Sequence, residues 1–286
     1  MGQTMFSTRT RPPSLRCLFV LLTLLATALQ ASAAPNDEFD NAEWKLQANL
    51  WISFPTGYFS GKDNAGYFDL QRDFGFGDYA TFSGKLDWRF KRKHHLLFTA
   101  TPVVASRTVT LARTVIWQDQ TFDLGARVDS RIASLIFSPG YEYDFFRKRQ
   151  GALGFLAILN LAHVDARLKL AAGASGGGGS GSGSVSADGS RFAPLPAIGP
   201  TFRWYPIPDS NRFYLDGSLT GMSFFGYGNF VSANAVLGFP VAKKWDVRVG
   251  YMMGSRLRIN SSDNEIAVRL TQKGPIVGVE RHWGAR

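Results

Sequence analysis

Cysteine occurs once in the 286 residues, at position 17. It precedes the apolar run Leu18 to Leu29 rather than following it, which argues against a lipoprotein cleavage site. Long apolar runs are also missing. Beyond that first stretch no run of eighteen apolar residues occurs, so the sequence offers no helical membrane span. Acidic and basic residues at the four-residue spacing that supports exposed helices are sparse. No nucleic-acid module and no repeat of solenoid length is present. The basic excess, 32 Lys and Arg against 22 Asp and Glu, is therefore read as a partner for membrane phosphates.

What is present begins with an export signal. Arg9, Arg11 and Arg16 form a positive leader without acidic residues, the twelve-residue apolar stretch is too short to span a bilayer comfortably, and Ala31-Ser32-Ala33 is a small-x-small cleavage site. Cutting after Ala33 leaves 253 residues and no cysteine, which excludes a disulfide scaffold and thiolate chemistry. The expected organisation is a signal over 1–33 and a single domain over 34–286.

The whole chain carries 30 glycines and 14% aromatics, and after the signal its segments alternate. Trp44 to Leu50 puts apolar residues on one face and polar ones on the other. Along Thr81 to Phe90, Lys85, Asp87 and Arg89 oppose Leu86, Trp88 and Phe90, and Trp245 to Tyr251 repeats the pattern. Several strands with charge on one face are most economically satisfied by a polar lumen and a lipid-facing apolar band. Only helices and closed barrels satisfy every backbone group in a bilayer, and the helix is absent. The expected fold class is all-β, a transmembrane antiparallel β-barrel; a soluble periplasmic β-sandwich or barrel is the alternative.

About ten strands are expected, near 43–54, 80–91, 95–111, 127–146, 151–170, 192–205, 212–225, 229–240, 244–260 and 265–283, with eight as the alternative count. Short turns follow alternate strands: Arg92-Lys93-His94, Arg147-Lys148-Arg149, Pro206-Ile207-Pro208-Asp209 and Ala242-Lys243-Lys244. Loops 55–79, 112–126 and 171–191 fill most other connections, the last containing the low-complexity Gly173 to Ser184. Short turns alternating with long loops set a periplasmic and an outer end. Tyr141, Tyr143, Phe145, Trp204 and Tyr205 beside the short turns read as an interfacial girdle.

With these segments in view, the chain resembles the small outer-membrane β-barrel proteins of Gram-negative bacteria. The resemblance covers the chain after the signal in pattern, and its one motif is the last strand, where Val277, Val279 and Trp283 alternate toward the end. It implies location in the outer membrane and recognition of those three residues by the outer-membrane assembly machinery. Arg281 stands where the pattern has a hydrophobic residue, and three residues follow Trp283.

The expected lumen set is Lys45, Lys85, Arg89, Arg203, Arg248, Arg256 and Arg258 against Asp87, Glu142, Asp144, Asp216, Asp246 and Glu280, seven positive and six negative. So balanced a set reads as an ion-paired filling, since buried charges need partners, and barrels of eight to ten strands are near the closed end of the size range. Arg256 and Arg258 are the candidates for an anion-attracting outer vestibule. No catalytic motif appears: His94 and His95 lie at a basic turn, His282 is near the C-terminal edge, and His163 with Asp165 has no serine placed beside it by any motif. Asp63, Asp69, Asp73 and Asp78 lack calcium-loop spacing. No enzyme activity, cofactor or metal is expected. The expected partners are outer-membrane lipids, met by Lys93, Lys148 and Lys244 in the turns, and small solutes. The expected state is a monomer.

Overall fold

Alternation produces strands of nearly the expected extent. The computed structural model describes residues 42–60, 67–72, 75–111, 114–117, 120–123, 125–170, 186–207, 210–224, 228–260 and 267–285. The export signal, most of loop 171–191, Pro208-Asp209, Gly226-Tyr227, Asp63 and Asp73 lie outside those residues.

Thirteen strands follow in order: β1 (Ala42–Ser60), β2 (Tyr67–Asp69), β3 (Tyr79–Lys91), β4 (His94–Thr110), β5 (Val115–Trp117), β6 (Gln120–Phe122), β7 (Arg127–Lys148), β8 (Gly151–Leu170), β9 (Ser186–Trp204), β10 (Tyr214–Phe224), β11 (Gly228–Ala242), β12 (Trp245–Asn260) and β13 (Ala267–Ala285). Ten of them, all but the three-residue β2, β5 and β6, form an antiparallel ring in chain order, and β13 returns to pair with β1. The ring is closed, so none of its long strands leaves an edge. No helix occurs among the described residues.

Two of the expected loops hold strand. β1 runs to Ser60 and takes up β2 alongside it, and β5 and β6 form a small hairpin within 112–126. The loop expected over 171–191 ends at Ser186, where β9 begins six residues before the expected start. The connections β3–β4, β7–β8 and β11–β12 are two residues long, which pins the register of each hairpin. They lie at one end with both described termini.

Facing residues alternate as the pleat requires. On β7, Val128, Ser130 and Ser138 are buried inside the ring while Leu135, Phe137 and Tyr141 are exposed outside it. Phe82, 70% exposed, and Phe98, Phe155, Ile198, Leu219 and Leu237 continue the outer apolar belt. A transmembrane strand needs about 9–11 residues, and β7 and β8 have 22 and 20. Their surplus projects from the end away from the short turns, where Arg127, Asp129, Arg131, Asp165, Arg167 and Lys169 replace the apolar residues on the outer wall.

Beside the short turns the outer wall is aromatic. Trp44 and Trp88 stack at 5.1 Å, directly opposite in register, and His94 packs against Tyr141 and Tyr143. Trp204 and Trp245 are exposed at the same level. Tyr205 departs from the expected girdle: it is buried and packs against the buried Tyr214, because it continues the inward parity of Ala197, Thr201 and Arg203 while Trp204 takes the outward one.

Candidate functional site: the charged turn-side lumen

The inward positions near the short turns carry charge on almost every strand. Lys45 on β1, Asp87 and Arg89 on β3, Asp144 on β7, Asp246 and Arg248 on β12 and Glu280 on β13 are all buried. Lys85, Glu142, Arg203 and Asp216 are half-buried beside them. Higher in the lumen the buried inward residues described are uncharged: Ser53, Thr81, Ser130, Ser138, Thr220 and Val103.

The charges form two linked groups. Arg203 donates to Asp216 Oδ2 at 2.6 Å and to Glu280 at 3.2 Å, and Arg248 approaches the same two carboxylates at 3.3 and 3.5 Å. Gln47 Nε2 adds a hydrogen bond to Glu280 Oε2 at 2.8 Å. Glu280, 1% exposed, is thus surrounded by donors. The Arg203 guanidinium also lies over the Tyr214 ring, 4.5 Å from its centroid. The Arg203–Glu280 contact joins β9 to β13, with three strands between them in the ring. It crosses the lumen as a chord.

The second group centres on His95. Its Nδ1 lies 2.9 Å from Asp87 Oδ1, its Nε2 lies 3.2 Å from Asp144 Oδ2, and Arg147 meets Asp144 at 2.7 Å. Glu142 accepts from Thr201 Oγ1 at 2.6 Å, linking β7 to β9 past β8. Gly154 on the intervening strand makes this approach feasible: a Cβ there would lie 2.6 Å from Thr201 Oγ1 and 2.9 Å from both carboxylates.

Sequence reading did not include His95 or Arg147. Their basic neighbours assigned both to turns, although His95 keeps the parity of Leu97 and Thr99 on the same inward face. Arg147 owes its inward position to a register shift between Asp144 and Phe146.

Arg256 and Arg258 call for a correction. A register shift between Met252 and Ser255 exchanges the two phases of β12. Position 256 pairs with Val231, which is exposed on the outer wall, and position 258 pairs with Asn229. The pairing therefore gives no support to a vestibule built from them; their side chains lie outside the described residues.

His163 and Asp165 do meet, at 3.3 Å, but on the outer wall, with side chains 53% and 55% exposed. An exposed pair of this kind contributes about 0–1 kcal/mol. His163→Ala is accordingly expected to leave the urea unfolding midpoint of the micelle-bound barrel unchanged within error. Asp69 caps the turn after β2, accepting from the backbone N–H of Gln71 and Arg72.

In β13, Val277, Val279 and Trp283 share the outward face, with Trp283 opposite Trp44. Arg281, which departs from the motif, lies over the rings of Trp245 and Trp283 at 5.4 and 5.9 Å. Its aliphatic stem covers apolar surface while its charge sits on aromatic faces.

No protein-family model matches the chain, and no curated protein matches it. Solved structures do. The outer membrane protease OmpT from Escherichia coli superposes with a TM-score of 0.56 at 11% identity, covering 86% of this chain and 100% of that one. Ail, the attachment invasion locus protein of Yersinia pestis, covers 83% and 99% with a TM-score of 0.37 at 9% identity, and Neisserial surface protein A covers 85% and 98% with 0.30 at 15%. At such identities a superposition shows architecture alone. This chain has the fold of the small outer-membrane β-barrels of Gram-negative bacteria.

Proposed function

We propose that this protein resides in the bacterial outer membrane as a monomer, its short turns in the periplasm, and that its lumen is closed by ion pairs. The role is structural or surface-interacting, with at most limited passage of small solutes. The observation that carries this reading is the Arg203–Glu280 chord, held on both sides by Asp216 and Arg248. Side chains that meet across the barrel support a closed lumen at their level. The apolar belt between the turn-side aromatics and the charged outer ends of β7 and β8 supports the membrane placement, as do Lys148 and Lys244, exposed at the turns beside anionic headgroups. Val277, Val279 and Trp283 face outward, where assembly machinery reads a final strand. OmpT is a protease, so the fold leaves catalysis undecided; the His163–Asp165 pair points away from the lumen and supports the non-enzymatic reading.

Conductance tests it. In a planar bilayer the folded protein is expected to be silent or to show only small, brief steps. Replacing Arg203, Asp216, Arg248 and Glu280 together by serine removes two charges of each sign at once, and is expected to open stable steps. Large steady conductance from the unaltered protein would refute the closed lumen.

A further inference from the structure

Asp246 and Glu280 stand directly opposite one another on β12 and β13. Like charges in that position destabilise a strand pair unless something compensates them. The compensation is unequal. Glu280 has Arg203, Arg248 and Gln47. Asp246 is 4% exposed, and its Oδ1 has no hydrogen-bond partner. His282 Nδ1 is 3.8 Å away, beyond hydrogen-bond reach.

The imidazole orientation is fixed from its other side. His282 Nε2 lies 3.0 Å from the carbonyl oxygen of Lys243, to which it can only donate. In the neutral ring Nδ1 therefore presents a lone pair. In that neutral form a lone-pair nitrogen and a carboxylate oxygen face each other across 3.8 Å. Ligand atoms of Asp246, Glu280 and His282 all lie within 4.8 Å of one another, a grouping found once among the described residues.

A histidine anchored through its distal N–H to a backbone carbonyl is how proteins hold a metal-ligating imidazole. Two ligands, each about 2.0–2.2 Å from one ion, span a gap of this size at a wide angle. We infer that Asp246, His282 and Glu280 form a binding site for one divalent transition-metal ion of zinc's class. His282 Nδ1 and Asp246 Oδ1 are the primary ligands, and Glu280 supplies the third. The mixed imidazole and carboxylate set suits zinc or cobalt rather than calcium or magnesium. His282 is partly exposed at the turn-side mouth, which gives the ion a way in. Arg203 and Arg248 beyond Glu280 oppose the added charge, so the affinity is modest.

Untagged protein, folded in detergent micelles and stripped with chelator, is titrated with zinc chloride by calorimetry and with cobalt chloride by visible absorption. One saturable equivalent is expected, with a cobalt band in the visible. His282→Ala and Asp246→Asn are each expected to weaken binding at least about tenfold, while His163→Ala, at the other His–carboxylate pair, leaves it unchanged. Absence of saturable uptake by the unaltered protein overturns the site. So does equal uptake by folded His282→Ala. The unaltered protein decides the matter even if Asp246→Asn does not fold.

Discussion

Glu280→Ala is expected to destabilise the folded barrel by about 3–5 kcal/mol, the cost of breaking a buried ion pair from one side. The carboxylate accepts from Gln47 and Arg203 and lies within 3.5 Å of Arg248. Removing it leaves Arg248, which is buried, with Asp216 as its remaining carboxylate at 3.3 Å. Asp216 would then serve two guanidinium groups. Glu280→Gln keeps the shape and one acceptor, so its loss is expected to be smaller than that of alanine. Urea titration of the micelle-bound protein, followed by tryptophan fluorescence and by the heat-dependent gel shift, gives both values. A loss below about 1 kcal/mol for alanine, within the range of exposed pairs, would mean that the network carries little of the stability.

The second large effect concerns a residue with no side chain. Gly238 on β11 lies opposite Tyr214 in register, and the Tyr214 ring covers it so closely that a Cβ there would be 2.0 Å from Cζ. The ring in turn supports the Arg203 guanidinium on its face. Gly238→Val must displace a fully buried tyrosine and, with it, the arginine of the chord. Overpacking of this kind costs about 1–3 kcal/mol, and the loss is expected at the upper end of that range. Gly84→Val is the control: an added Cβ there meets nothing nearer than 4.0 Å, so its effect is expected to stay within about 0.5 kcal/mol. The pair Gly238→Val with Tyr214→Ala is expected to cost less than the sum of its singles, because the clash needs both side chains. Strict additivity would place the cost elsewhere.

Most of this architecture was legible because the pleat has a period of two and the hydrophobic pattern follows it. Lys85, Asp87 and Arg89 sit inward because Leu86, Trp88 and Phe90 claim the outer wall. What escaped the pattern were its breaks in phase. Met252 to Ser255 reads as uninterrupted strand, and the one hint in Met-Met-Gly-Ser of the shift that moves positions 256 and 258 into the opposite phase is Gly254. Arg147 is a second case, carried inward by the irregularity after Asp144. His163 is a third of another kind. It lies where β8 is apolar on both faces below and charged above, so alternation alone does not assign its side; pairing with the exposed Leu135 does. The metal ligands were hidden by separation. Asp246 and Glu280 become neighbours only through the pairing of the last two strands.

The ring closes only when β13 meets β1, and Glu280 belongs to that last strand. Its bond to Gln47 joins residues 233 positions apart. Until the final strand docks, Arg203 and Arg248 have Asp216 but not Glu280 to share, while β1 and β12 each present an open edge. Sealing the wall and completing the chord are therefore one event, and an intermediate lacking the C-terminal strand would be prone to pair with other chains.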